Sequence, residues 1–145
     1  MIIVSNSLEE TKKIANKLAN NIPVGKVIAL IGNLGTGKTT FTQGFASAMG
    51  IEERVGSPTF KLISEYSGKK GFLYHIDAYR LNGFREFLNI GGEDYLHPEN
   101  GITIIEWADL ILDLLDEKII YINLFRIGSE KNKRRIEIEG LDFNL

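Results

Sequence analysis

The segment from Gly32 to Phe41 reads GNLGTGKTTF, and its residue types and spacing could hold the phosphates of a nucleotide. Its glycines allow successive backbone N–H groups to turn toward one anion, and a following helix would present its N-terminus to the same anion. In the pattern Gly-x4-Gly-Lys-Thr, the Lys38 side chain would reach the β- and γ-phosphates, and the Thr39 hydroxyl would bind Mg²⁺. The segment therefore predicts a P-loop.

The flanking segments agree with a P-loop better than with the alternative, a glycine-rich turn carrying an exposed lysine. Val27 to Ile31 is a short apolar run bounded by Gly25 and Gly32, which predicts a strand buried on both faces. A helix is predicted from Thr39 to Met49, ended by Gly50. A buried strand, a glycine loop and a helix in this order are the context that the motif requires.

Two acidic residues follow strand-like runs and could complete a phosphate site. Asp77 ends FLYHID and Glu106 ends ITIIE. A P-loop site commonly uses an acid at the end of a second buried strand to hold Mg²⁺. Asp77 fits better by residue type and Glu106 by the apolar character of its strand. We expect both near the phosphates, with Glu106 as the Mg²⁺ ligand and Asp77 orienting water or a switch segment.

Four further features allow both a functional and a purely structural interpretation. Thr59, in the sequence Ser-Pro-Thr, could sense a γ-phosphate or belong to a simple turn. Trp107 is expected to be a core or rim aromatic residue. His75 is expected to be a strand residue facing the second layer, without a catalytic role. The basic residues of 131–135 could form a solvated hairpin turn or reach a nucleotide or partner.

The remaining segments alternate between strand and helix patterns. A strand at Met1–Val4 precedes a helix with a Ser7–Glu10 capping box and an apolar face; that face comprises Leu8, Ile14, Leu18 and Ile22. Later segments are a hairpin of 59–66 with 71–79, a helix at 84–90, a strand at 101–107, the helical ADLILDLL, and a closing hairpin. We therefore expect one α/β domain over residues 1–145, a P-loop NTPase-like three-layer fold with a mixed, mainly parallel central sheet and a C-terminal antiparallel hairpin.

Composition limits the class of protein. The 145 residues include no cysteine and carry a formal net charge of −2, which excludes thiolate chemistry and gives no overall basic footprint for nucleic acid. The N-terminus lacks the pattern of a secretory signal, and no apolar run is long enough to cross a membrane. These features predict a soluble cytoplasmic protein.

Five motifs together resemble one family. In chain order they are GNLGTGKTTFTQGF, SPTF, YHIDAYRL, LNIGGEDYL and IIEW. Their order and separations, from about Val27 to Trp107, are similar to those of the TsaE (formerly YjeE) family of bacterial P-loop ATPases. The SPT, HxDxYR and EW motifs are more specific than the P-loop alone.

The resemblance implies an ATPase that binds ATP with Mg²⁺ in the synthesis of threonylcarbamoyladenosine at position 37 of tRNA. Such proteins associate with TsaD and TsaB, and they meet tRNA indirectly through that complex. Hydrolysis would serve repeated modification cycles and not the transfer chemistry itself.

The same resemblance assigns residues to roles. ATP would be bound by Gly35, Thr36, Gly37, Lys38, Thr39, Thr40 and Asp77. Lys38, Asp77 and Glu106 would be catalytic, and Thr39 and Glu106 would hold Mg²⁺. Thr59 matches a switch-like threonine, and Trp107 matches the tryptophan after the glutamate. Thr11 and Arg134 would lie near the nucleotide.

Two loop positions depart from the family's usual Gly-Asp-Leu-Gly-Ala-Gly-Lys-Thr. Asn33 replaces the aspartate and Thr36 replaces the alanine. Because the cradle uses backbone groups, ATP binding should survive both changes.

Two other functions remain as alternatives. A small P-loop kinase would normally add an arginine-rich lid over its acceptor, and the sequence shows no such segment. A nucleotide-dependent binding switch outside this pathway is the second alternative. For a GTPase switch, an Asn/Thr-Lys-x-Asp guanine motif is expected, and the sequence does not contain one.

Overall fold

The computed structural model describes residues 1–56, 62–81, 83–116 and 118–145. Over these residues the chain forms seven strands, four α-helices and two 3-10 helices. The strands are β1 Ile2–Ser5, β2 Val27–Ile31, β3 Ile63–Gly68, β4 Gly71–Asp77, β5 Gly101–Glu106, β6 Ile120–Arg126 and β7 Arg134–Glu139. The α-helices are α1 Leu8–Asn21, α2 Lys38–Ala48, α3 Phe84–Asn89 and α4 Gly92–Tyr95; the 3-10 helices are Ala78–Arg80 and Ala108–Leu114.

All seven strands belong to one sheet in the order β1-β7-β6-β2-β5-β4-β3. The four strands β6, β2, β5 and β4 are parallel neighbours. Strands β7 and β3 run antiparallel to their neighbours, and β1 is antiparallel to β7. Five strands therefore point in one direction, which confirms the mixed, mainly parallel sheet and the C-terminal hairpin β6–β7.

Apolar side chains cover both faces of the sheet, because every residue of β5 and nearly every residue of β2 is buried. Alternate residues point to opposite faces. On one face, Phe41 and Phe45 of α2 and Leu18 of α1 pack in a core with Ile28. Burying such a side chain contributes roughly 1.5–3 kcal/mol.

The opposite face is covered by shorter elements. Phe87 of α3 and Ile111 of the second 3-10 helix belong to a core with Ala29 and Ile105. The fold is thus layered on both sides of the sheet, as the sequence predicted.

Parallel packing brings the C-terminal ends of three strands to one edge of the sheet. Asp77 of β4 lies beside Glu106 of β5, and Glu106 lies beside Leu30 of β2, two residues before the P-loop. Ligands of open α/β folds bind at this edge.

Local predictions near the N-terminus are confirmed in part. Ser7 caps α1 by accepting a 3.1 Å hydrogen bond from Glu10 N, and the Glu10 carboxylate accepts from Asn6 N at 2.6 Å. The predicted apolar face is wrong at Leu8, which is 43% exposed. Small residues such as Ala15 and Ala19 occupy the buried face instead, because α1 approaches α2 closely near Gly44.

The segment ADLILDLL is a 3-10 helix with a non-helical residue at Ile111, not the regular helix that its composition suggested. Ala108 and Ile111 are both buried in the same core. No helix among the described residues is long and apolar enough to cross a membrane.

Candidate functional site

The P-loop connects β2 to α2 and has the backbone shape of an anion cradle. Gly35 and Gly37 adopt positive φ values of 76° and 100°, a region that a side chain would make costly. Gly37 is the N-cap of α2, and because glycine has no side chain, it cannot cap the N–H groups of the first turn. The first-turn N–H groups of a helix have no partner inside the helix, so they are suited to bind an anion.

The main-chain oxygen of Asn33 accepts three hydrogen bonds from inside the loop. Its donors are Thr36 N at 3.3 Å, Thr36 Oγ1 at 2.8 Å and Lys38 Nζ at 3.0 Å. The Asn33 side chain itself is exposed. Position 33 therefore shapes the loop through its backbone, and Thr36 adds a hydroxyl contact that alanine could not make.

Lys38 lies buried at the centre of the loop. Its ammonium group also donates to Gly32 O at 2.7 Å and lies 4.2 Å from the centre of the Trp107 ring. Burial lowers the pKa of Lys38, while the nearby charges of Glu106, Asp109 and Asp77 act in the opposite direction. The lysine thus faces both the loop and the acidic strand ends.

The two predicted acids stand side by side at the ends of adjacent parallel strands. Both are buried, with 6% exposure for Asp77 and 3% for Glu106. Burial raises the pKa of Asp77, a hydrogen bond from Tyr79 N at 3.0 Å opposes this, and the charge of Glu106 raises it further. Two buried carboxylates this close are favourable only with positive charge nearby.

His75 belongs to this site, although sequence reasoning assigned it no role there. It is completely buried, and its Nε2 atom lies 3.6 Å from Oε1 of Glu106. Residues two apart on a strand share a face, so the spacing His75-x-Asp77 could have shown that the imidazole lies on the same face as Asp77.

Trp107 is a rim aromatic, as predicted. It has the single positive φ, 58°, of the described non-glycine residues, which is a strained conformation for a bulky side chain. Its ring lies 5.0 Å from that of Tyr79. Trp107 therefore connects Lys38 with the segment that follows Asp77.

Arg134 fastens the loop to the C-terminal hairpin. Its Nε donates to Thr36 O at 2.8 Å and its Nη2 to Gly35 O at 3.2 Å. Its Nη1 donates to Lys131 O and Lys133 O, both at 2.9 Å. These contacts hold Arg134 against the P-loop backbone, and its predicted position near a nucleotide stays a prediction.

Four threonines were also predicted to belong to the nucleotide site. Thr39 and Thr40 are half-buried in the first turn of α2. The Thr11 hydroxyl lies 2.7 Å from Ser5 Oγ, and Ser5 is the register partner of Arg134. Thr59 lies outside the described residues.

The side chains at this site fit Mg²⁺ bound together with a phosphate better than a metal ion held by protein ligands alone. Over the described ranges no group of three or more His, Cys, Asp or Glu could hold a metal ion. Mg²⁺ in nucleotide sites needs only one or two protein ligands besides phosphate and water. The Glu106 carboxylate is buried, and its Oε1 atom makes no hydrogen bond to any described residue, so one of its oxygens can bind a ligand while the other accepts from within the protein.

Two cavities differ in their suitability for an anion. One of about 350 Å³ borders the P-loop, and its lining includes Asn33 and Trp107 together with one acidic residue, Asp109, and one basic residue, Arg126. A larger one of about 680 Å³ lies elsewhere and is lined by four acidic residues, Glu65, Glu93, Asp94 and Glu99. Those carboxylates would repel phosphate, so the loop side is the candidate site despite its smaller cavity.

Comparison with known proteins identifies the family. The model described as "Threonylcarbamoyl adenosine biosynthesis protein TsaE" matches residues 5–136. The chain belongs to the TsaE family. This confirms the resemblance carried by the five motifs.

Individual relatives agree with this TsaE membership. A protein of Bacillus subtilis named tRNA threonylcarbamoyladenosine biosynthesis protein TsaE is 42% identical over 125 residues, which cover 86% of this chain and 77% of the relative. A protein of Treponema pallidum with the same name is 35% identical over 133 residues, which cover 92% of this chain and 96% of the relative. The crystal structure of Bacillus subtilis YdiB matches with a TM-score of 0.77 and 37% identity, over 94% of this chain and 82% of that one.

Proposed function

We propose that this TsaE-family chain binds and hydrolyses ATP with Mg²⁺ and serves the synthesis of threonylcarbamoyladenosine in tRNA. The names of its relatives support the pathway. The observation that supports ATP chemistry is the placement of Lys38 between the carbonyl groups of the P-loop and two buried strand-end acids.

In this proposal, the backbone N–H groups of the loop and of the first turn of α2 bind the phosphates. Lys38 exchanges its bonds to Gly32 O and Asn33 O for the β- and γ-phosphate oxygens. Thr39 and Glu106 would hold Mg²⁺, which would supply positive charge to the phosphates. Because Lys38 is already confined in the loop, little side-chain entropy is lost when phosphate binds.

Asp77 orients the attacking water or the segment that contains Thr59. It is anchored by the hydrogen bond from Tyr79 N, so its position is set by the backbone. The carboxylate lies next to Glu106, which lets one acid serve Mg²⁺ while the other faces water. Phosphoryl transfer to water depends mainly on such positioning and charge stabilisation.

We propose TsaD and TsaB as protein partners in the cytoplasm, with tRNA contacted through their complex. The charge of this chain, −2 overall, suits an indirect contact with tRNA better than extensive phosphate binding by the chain itself.

Calorimetric titration of ATP and Mg²⁺ into Lys38→Ala tests the ATP site. We expect a loss of tight binding, with the far-UV circular dichroism of the folded protein unchanged, because the side chain contacts the loop and not the sheet core. Lys13→Ala, an exposed position on α1, is the matched control and should bind like the unaltered chain. Equal ATP affinity in Lys38→Ala and Lys13→Ala would reject the ATP site.

A further inference from the structure

The buried face of β4 leads to the candidate metal ligand. Leu73, His75 and Asp77 alternate with Phe72, Tyr74 and Ile76 along the strand, so they share one face. His75 has 0% exposure. A histidine in such a position is isolated from water and must find its hydrogen-bond partners within the protein.

Three buried polar atoms of this face have no hydrogen-bond partner among the described residues. They are His75 Nδ1, His75 Nε2 and Glu106 Oε1. A neutral imidazole carries one N–H donor and one acceptor nitrogen, and a carboxylate accepts only. Donor and acceptor therefore complement each other across the 3.6 Å between Nε2 and Oε1.

The remaining gap is small. An N–H···O hydrogen bond has a heavy-atom separation of about 2.9–3.0 Å, so a shift of roughly 0.6–0.7 Å by either side chain closes it. The strand neighbours of His75 in the sheet are Ser64 on β3 and Ile104 on β5. Ile104 is fully buried and apolar, and the Ser64 hydroxyl makes no hydrogen bond with either ring nitrogen, so neither strand neighbour satisfies the imidazole in place of Glu106.

We propose that His75 is a positioning residue that donates from Nε2 to Oε1 of Glu106 and so leaves Oε2 for Mg²⁺. This inference rests on the proposed function, in which Glu106 is a Mg²⁺ ligand. Groups that hydrogen-bond a metal ligand fix its orientation, and their loss typically lowers metal affinity about 10- to 100-fold.

Loss of His75 should affect ATP binding with Mg²⁺ but not ATP binding without Mg²⁺, whereas loss of a merely structural histidine would affect both alike. Removing the donor should weaken the contribution of Mg²⁺ to ATP binding, because the carboxylate can then rotate. It should leave ATP binding without Mg²⁺ unchanged, because the P-loop and Lys38 remain intact.

Calorimetry on three variants tests this. ATP is titrated with and without Mg²⁺ into His75→Phe, which keeps a ring without donors, and into His75→Gln, whose side-chain amide can donate. The control is Thr103→Val, which removes a partly buried hydrogen bond, 2.6 Å long, from Thr103 Oγ1 to Tyr95 O on the other face of β5.

We expect the Mg²⁺-dependent gain in ATP affinity to fall about 10- to 100-fold in His75→Phe, to recover in part in His75→Gln, and to be unchanged in Thr103→Val. A full Mg²⁺-dependent gain in His75→Phe would overturn the proposal and leave His75 as a core-filling residue.

A second measurement needs no nucleotide. Nitrogen-15 NMR of the imidazoles in the full chain should show His75 carrying its proton on Nε2, with a signal that changes in Glu106→Gln. The sequence has two histidines, and His97→Gln assigns the spectrum because His97 is exposed. A proton on Nδ1, or a His75 signal indifferent to Glu106→Gln, would overturn the contact. If the unaltered chain shows no Mg²⁺-dependent ATP binding, the proposed function fails, and this spectrum still decides the His75–Glu106 contact.

Discussion

Asn33 shows how a single residue can act in a phosphate site through its backbone alone. Its carbonyl oxygen accepts from Thr36 and Lys38, while its side chain is exposed. The identity of the side chain at position 33 is therefore weakly constrained by the loop. Asp77 is the opposite case, because its carboxylate is buried beside Glu106 and its chemistry depends on charge.

Asp77→Asn should stabilise the folded protein at neutral pH. Burial raises the pKa of Asp77, so the folded protein binds this proton more tightly than the unfolded chain does. The ionised carboxylate therefore reduces stability progressively as pH rises above the unfolded pKa, and the reduction is complete above the folded pKa. Asparagine removes the charge and can still accept from Tyr79 N.

We expect the free energy of unfolding of Asp77→Asn to increase by about 1 kcal/mol at pH 7, which raises Tm by about 2–4 °C for a chain of this size. The gain should disappear as pH falls to about 4. Thermal unfolding followed by circular dichroism measures it, with Asp113→Asn at an exposed position as control. A lower Tm for Asp77→Asn than for the unaltered chain at pH 7 would contradict this account.

At the level of elements, two supports hold the P-loop in place. Arg134 joins the loop to the β6–β7 hairpin through backbone carbonyl groups of both. Helix α2, which follows the loop, packs against α1 so closely that a Cβ on Gly44 would lie 2.6 Å from Lys12 O and 2.7 Å from Lys12 Cα. Both supports act on the backbone, so the shape of the loop depends on elements far from it in sequence.

Gly44→Ala should therefore destabilise the protein. Alanine would ordinarily stabilise a helix interior by about 1 kcal/mol relative to glycine, but here the methyl group overlaps the backbone of α1 and the helices must separate. Overpacking costs about 1–3 kcal/mol, and we expect overpacking to prevail, with a net loss of up to about 2 kcal/mol.

Urea unfolding measures this loss, and Gly56→Ala is the control because a Cβ there meets no heavy atom of the described residues within 4 Å. If Gly44→Ala were as stable as the unaltered chain, helices α1 and α2 would have to adjust to the added methyl group without a cost in stability.

At the scale of the whole molecule, one edge of a single sheet supplies the loop lysine, both acids and the tryptophan. Of the arginines beside the P-loop, Arg126 lines the adjacent cavity, and Arg134 has its Nε, Nη1 and Nη2 atoms engaged with backbone carbonyls. A guanidinium occupied in this way does not supply the transition-state charge that accelerates phosphoryl transfer in related enzymes. We therefore expect slow hydrolysis by the chain alone.

Adding TsaD and TsaB should raise ATP turnover by about tenfold or more, which corresponds to ~1.4 kcal/mol of barrier. Phosphate release measured for the lone chain and for the reconstituted complex tests this. Lys38→Ala in the complex is the control and should abolish the increase. Equal rates with and without the partners would count against a site completed by another protein.

Several features could be predicted from the sequence because local patterns determine them. The Gly-x4-Gly-Lys-Thr spacing, the apolar run at Val27–Ile31 and the strand-end positions of Asp77 and Glu106 depend on neighbouring residues in the chain. The closing hairpin was also predictable, since two strands joined by a short turn pair locally. These patterns were sufficient for the fold class and for the acids of the site.

Only the tertiary structure decided which groups meet across strands and helices. Residues His75 and Glu106 are 31 positions apart by their numbers, and their contact depends on the parallel register of β4 and β5. The role of Arg134 as a brace and the close approach at Gly44 likewise depend on how distant elements pack. Local sequence constrains backbone conformation and burial pattern, whereas contacts between distant residues follow from the free energy of packing the whole chain.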